Sequence, residues 1–151
     1  MSDYLVNGFK IFLLGLPDLP TEALKNVIRH CEDLDQLGAD LQRYPNSTKV
    51  IVCKSNHVIG VDELLMNHSI DTLYVFVNQE DQDMQEWLES LVFDDIIKVD
   101  NEKQLMRHLG AKVMLCYYNQ ALQHQRNGDY GFANLCFLDS IKALDCCAKF
   151  I

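Results

Sequence analysis

Two apolar runs, Lys49–Cys53 (KVIVC) and Thr72–Val77 (TLYVFV), constrain this chain more than anything else in it. Both read as strands of a parallel sheet, buried on both faces. In such sheets the chemistry sits beyond the carboxyl ends of the strands. Here those ends read Lys54-Ser55-Asn56-His57 and Asn78-Gln79-Glu80-Asp81. Neither is a phosphate loop, a nucleophile elbow or a metal cluster.

The neighbouring segments extend the pattern. Phe9–Leu16 is an apolar run that ends at Gly15 and the Pro17–Pro20 segment, as a strand would. Thr21 is placed to cap a short helix from Glu22. Val27–Cys31 alternates apolar and polar residues like a half-buried strand. Asp33 is placed as the N-cap of a helix from Leu34 to Arg43, with Leu34, Leu37 and Leu41 on its apolar face. Ser55–Ile59 reads as a loop and Val61–Met66 as a short helix with Asp62 and Glu63 in its first turn. Met84–Leu91 reads as a helix whose face carries Met84, Trp87, Leu88 and Leu91. Asp95–Val99 reads as a fifth strand, and Asp100 as the cap of a helix beginning near Glu102.

Strand and helix alternate, which predicts an α/β fold: a five-stranded parallel sheet, order 2-1-3-4-5, with helices on both faces. That is a flavodoxin-like arrangement, assigned to residues 1–103. Residues 104–151 differ, because Leu105–Ile151 carries no strand signal. Leu105, Leu109, Val113, Cys116, Tyr117 and Ala121 recur at helical spacing. Asn127-Gly128-Asp129 breaks the run. Tyr130, Ala133, Phe137, Ile141 and Leu144 then form the stripe of a second helix. The expectation is a C-terminal αα-hairpin.

Composition narrows the partners. With 48% hydrophobic residues the chain has enough apolar material for a sizeable core. Its formal charge of -9, from 13 basic and 22 acidic residues, disfavours nucleic acid and anionic membrane surfaces, both of which are held by Lys and Arg. No apolar stretch is long enough to span a bilayer, and Met1-Ser2-Asp3-Tyr4 does not resemble a secretory leader. The six cysteines sit mostly inside apolar periodic runs and form no Cys-x-x-Cys, so reduced thiols in a cytoplasmic protein are expected.

The hairpin resembles a tetratricopeptide repeat through Tyr117, Ala121, Gly128, Tyr130, Ala133 and Phe137, which fall at matching offsets. Ser140 stands where that family prefers Ala, and no proline follows the second helix. One repeat unit is visible, and about three normally stack to bury their faces. The resemblance implies a protein-binding or scaffolding role. The first hundred residues resemble a receiver domain of two-component signalling. That family keeps an acceptor Asp at the end of its third strand, where this chain has Cys53, Lys54 and Ser55. Asn78 stands in the hydroxyl region, and Lys98 is followed by Val99 where the family has Pro. The likeness therefore implies the fold without aspartyl phosphorylation. The strand and helix order is also similar to an α/β module found ahead of tetratricopeptide arrays in some large animal proteins.

Several constellations invite chemistry. Cys53 and His57 place a thiol and an imidazole near one strand end, but no glycine elbow follows. Cys136, Cys146, Cys147 and His124 lack the close paired spacing of structural zinc. Asp94-Asp95 and the acids at Glu80, Asp81 and Asp83 read as solvated loops and helix starts. The isolated Gly15 and Gly60 make no dinucleotide fingerprint. No metal and no cofactor is expected, and no catalytic residue is assigned. The expected function is a non-catalytic interaction or scaffold module, with a protein partner that includes a second copy of the chain among the candidates. Its partner surface is expected around Tyr117, Tyr118, His124 and Tyr130. The alternative is a small-molecule or nucleotide sensor with Ser55, Asn56 and Asn78 at the strand ends.

Overall fold

The computed structural model describes residues 8–17, 24–77 and 96–150. The expected helix over Met84–Leu91, residue Asn78 and the acidic clusters between Glu80 and Asp95 lie outside them, as does the start of the helix expected from Glu22, of which the described part is a 3₁₀ turn over Lys25–Val27. The chain divides into two compact units. Among the described residues one comprises 10–17, 28–77 and 96–101, and the other comprises 8–9, 24–27 and 102–150.

The first unit is built on the sheet. Its strands are β1 (Phe9–Leu14), β2 (Ile28–Cys31), β3 (Thr48–Lys54), β4 (Thr72–Phe76) and β5 (Ile96–Val99). They lie in the order β2-β1-β3-β4-β5, the predicted flavodoxin-like arrangement. Parallel pairing sets Ile11 opposite Ile28, Val52 opposite Tyr74 and Val75 opposite Lys98. The ladder runs on past the strand ends through Gly15 N–H to the Cys31 carbonyl at 2.8 Å and Val77 N–H to the Val99 carbonyl at 3.0 Å. Both faces of the central strands are dry. Phe12, Leu14, Ile51, Cys53, Leu73 and Val75 point to one side, where they meet Leu37, Leu41, Val58 and Val61. Ile11, Leu13, Val50, Val52 and Tyr74 are buried on the other. Alternation at period two explains why these strands carry no polar face.

Two helices cover the Phe12 side. Helix α1 (Leu34–Arg43) begins where the sequence places it, because the Asp33 carboxylate accepts the Gln36 N–H at 2.8 Å. Helix α2 spans Val58–Leu65 and is preceded by a 3₁₀ turn over Ser55–His57. The expected loop over Ser55–Ile59 and the expected start at Val61 are therefore corrected. No side chain caps this helix at His57, so the usual start signal is missing from the sequence.

The second unit is an αα-hairpin. Helix α3 is the long Glu102–Arg126, and α4 is Tyr130–Ala148. No described helix is long and apolar enough to cross a membrane.

Candidate interaction surface

The turn of the hairpin follows from one glycine. Gly128 adopts φ 80°, a left-handed conformation that glycine reaches without steric cost. The Asp129 N–H then bonds to the His124 carbonyl at 2.8 Å and the Gly128 N–H to the Gln125 carbonyl at 3.1 Å. This paired arrangement satisfies the last carbonyls of α3 and ends it. The Asp129 carbonyl accepts the Ala133 N–H at 3.0 Å, which starts α4 one residue later.

Small residues hold the two helices together. Ala133, Cys136, Ser140, Ala143 and Cys146 are the buried residues of α4. Ser140 Oγ donates to the Met114 carbonyl at 3.0 Å, and Cys147 Sγ donates to the Arg107 carbonyl at 3.1 Å. Tyr118 meets Phe137, and His124 meets Phe132. As the residue number falls on α3 it rises on α4, which fixes the antiparallel register. At Gly110 the approach is tightest: a Cβ there would lie 2.7 Å from the Cβ of Cys147 and 2.9 Å from its Cα.

One face of the pair is closed. Val113 and Tyr117 are buried there, and the Tyr117 ring meets Phe9 edge-on at 4.9 Å. Burial, aided by the nearby Cys136 and Cys116, pushes the Tyr117 phenol up to about 12. His124 is also buried, its Nδ1 4.0 Å from an Asp129 carboxylate oxygen. Of the four aromatic and imidazole side chains expected at a partner surface, Tyr117 and His124 thus lie inside, whereas Tyr118 and Tyr130 lie on the outside.

The opposite face is open and apolar. On α3 it carries Ala111, Leu115, Tyr118 and Leu122, at spacings of four and three. On α4 the same spacing joins Tyr130, Asn134, Phe137, Ile141, Leu144 and Ala148. The Tyr118–Phe137 contact, with ring centroids 5.8 Å apart, sets the two stripes side by side. Ten large hydrophobic side chains are exposed among the described residues, and only Ile59 and Met66 lie outside the helix pair. The expected stripe on α4 is present, but it is not the seam with α3. Of its members only Ala133 is buried, while Tyr130, Ile141 and Leu144 face outward. A parallel seam of small residues makes the helix contact instead.

Charge is divided as unevenly as apolar exposure. Residues 1–101 hold seven basic and eighteen acidic side chains, whereas residues 102–151 hold six basic and four acidic. The strong negative balance belongs entirely to the first part of the chain.

The strand ends offer a second location. Ser55 and Asn56 stand in the 3₁₀ turn directly after β3, Asn56 exposed and Ser55 half-buried. Gly15 follows β1 with φ 64°, and His57 Nε2 lies 3.3 Å from where a Gly15 Cβ would be. Sequence reasoning missed Gly15 and His57 as neighbours, although the order 2-1-3 places their strands side by side. Cys53 is fully buried, and burial pushes its thiol up to about 12, so it stays protonated at neutral pH. None of the six cysteines is in a disulfide, and no described group of three His, Cys, Asp or Glu residues could hold a metal. No family model, no curated protein and no solved structure matches this chain.

Proposed function

We propose that this chain is a protein-interaction module that binds through the open face of the α3–α4 pair. The observation that carries this reading is that five of the eight exposed large hydrophobic side chains of the pair, Leu115, Tyr118, Tyr130, Ile141 and Leu144, share that face. Contiguous apolar surface of this kind marks binding sites, because leaving it in water is unfavourable. The four-three spacing suits a helical partner, whose own side chains would interdigitate with these ridges. The tetratricopeptide-like reading agrees with small residues, Ala121, Ala133 and Ser140, lying buried in the pair. The module would act as a scaffold in the cytoplasm, its α/β unit, receiver-like in plan, serving as framework.

Selection of displayed peptides against the purified chain tests this. Recovered peptides should carry apolar residues at three-four spacing, and Ile141→Glu should abolish their binding while Ser55→Ala leaves it intact. Binders that ignore Ile141→Glu would remove the reading.

One observation favours a second reading, a small-ligand sensor at the strand ends. Gly15 and the Ser55–His57 turn meet where the strand order reverses between β1 and β3, the usual ligand position in such sheets. A nucleotide thermal-shift series checks it: saturable stabilisation lost in Asn56→Ala supports the sensor, and a flat series discards it.

A further inference from the structure

Resting on the interaction reading, we infer that the occupant of the open face is a second copy of this chain. The two helix pairs pack face to face about a two-fold axis as a four-helix bundle.

Area is the first support. Leu115, Tyr118, Tyr130, Leu138, Ile141 and Leu144 are each between 44% and 66% exposed. At roughly 150–250 Å² for a large side chain, they present on the order of 500–800 Å². That reaches from the upper end of the roughly 300–600 Å² of the largest patch on an ordinary monomer to well past it. With a polar rim added, it reaches the ~800 Å² per partner of a stable interface.

Spacing is the second. Both stripes repeat at four and three residues, the periodicity of helices that pack at about 20° to one another. A single helix would cover the groove between the stripes and leave their outer flanks, Leu138 among them, in water. A second pair covers both helices at once, and an isologous dimer needs one surface complementary to itself.

Charge is the third. A chain with a net charge of -9 would repel its own copy if that charge lined the contact. It does not. The pair has six basic and four acidic residues, and along α4 the charges alternate in sign, Asp139, Lys142, Asp145 and Lys149, outside the apolar stripe. Asp139 and Lys142 already lie 3.8 Å apart. Closing the dimer here builds the contact from the part of the chain whose charges nearly balance.

Sedimentation equilibrium between about 1 and 100 µM tests the proposal. The wild-type chain should approach twice its 17.4 kDa mass with rising concentration. Its melting temperature should rise with concentration too, as it must for a dimer of folded chains. Ile141→Glu and, independently, Leu138→Lys should give monomers with unchanged circular dichroism. Met66→Glu, at an exposed apolar residue of the α/β unit, should leave the dimer intact. A wild-type chain that stays monomeric at about 100 µM, or a dimer that survives both substitutions, overturns the inference. A monomer that still binds the selected helical peptides removes self-association alone; a monomer that binds none removes the interaction reading as well.

Discussion

The α/β unit and the helix pair spend the same kind of residue in opposite ways. The sheet buries its apolar side chains on both faces and leaves only Ile59 and Met66 exposed among its described large hydrophobics. The helix pair closes one face and opens the other. Its two helices touch through Gly110, Ala133, Cys136, Ser140 and Ala143, while Leu115, Ile141 and Leu144 face water. Burial of apolar area is the main favourable term in folding. A unit that withholds several large side chains from its own core holds that term in reserve for association. Most of the exposed large hydrophobic side chains among the described residues therefore lie on the smaller part of the fold.

Thiol chemistry should separate the two regions most widely. The Cys53 thiol is raised from 9.0 to about 12 by burial alone. Its thiolate fraction at pH 8 is then about a thousandfold below that of an ordinary cysteine. Cys147 on the helix pair is half-buried and free. Alkylation at pH 8 followed by peptide mass spectrometry should label Cys147 within minutes and Cys53 only on unfolding. The same shift has a pH consequence. A thiol held protonated in the fold contributes stability that is fully present below about 9 and lost as pH rises toward 12. Melting temperature should accordingly fall from pH 9 upward. Early labelling of Cys53 would mean that β3 opens in the native state.

Deleting the same atoms from each region sharpens the contrast. Ile51 is fully buried in the sheet core, and Ile141 is 56% exposed. Ile51→Ala should cost about 2–5 kcal/mol through lost burial and a residual cavity. Ile141→Ala should stay within about 0.5 kcal/mol in the monomer. Urea unfolding at low concentration reads both. A large loss at Ile141 would place that side chain inside a core after all.

How far the sequence revealed these regions follows from the same contrast. The strands were legible because Val50–Cys53 and Leu73–Val75 are apolar without interruption, which only a doubly covered sheet accommodates. Helix α1 was legible to the residue because Asp33 supplies a cap that can be read directly. The start of α2 was not, since nothing at His57 signals it. On α4 the difficulty is deeper. Two seams run along it with the same period, one of small residues at Ala133, Cys136, Ser140 and Ala143, and one of large residues at Tyr130, Phe137, Ile141 and Leu144. Periodicity reports that a helix has an apolar face and cannot say which of two faces meets the neighbour. Close backbone approach, set by Gly110, selected the small seam.

Gly110 should carry the next largest effect. Ala at this position would drive its Cβ against the Cα of Cys147 at 2.9 Å and its backbone nitrogen at 3.0 Å. Backbone yields less readily than a side-chain tip, so the helices must separate, at about 1–3 kcal/mol. Gly128→Ala meets nothing within 4 Å and carries only the strain of φ 80°, about 1–2 kcal/mol. Chemical denaturation of the two variants orders them. The reverse order would mean that the turn, rather than close packing, holds the pair.

Ser140 should show the smallest effect and the most specific one. Its hydroxyl donates to the Met114 carbonyl at 3.0 Å from a buried position in the small seam. That carbonyl lies within α3, so the backbone of the helix can satisfy it without the hydroxyl. Ser140→Ala removes a supplementary hydrogen bond and keeps the side chain small, for a loss of about 0.5–1 kcal/mol. Ser140→Val keeps no hydrogen bond and adds bulk, so it should lose about 1–3 kcal/mol by overpacking. If size governs the seam, the Val variant falls well below the Ala variant in denaturant midpoint, and Gly110→Ala combined with Ser140→Val departs from additivity because both press on one interface. If the hydrogen bond governs it, Ala and Val lose equally. That outcome would make the seam a polar lock and would dissolve the contrast between small residues that pack inside the pair and large ones that wait outside it.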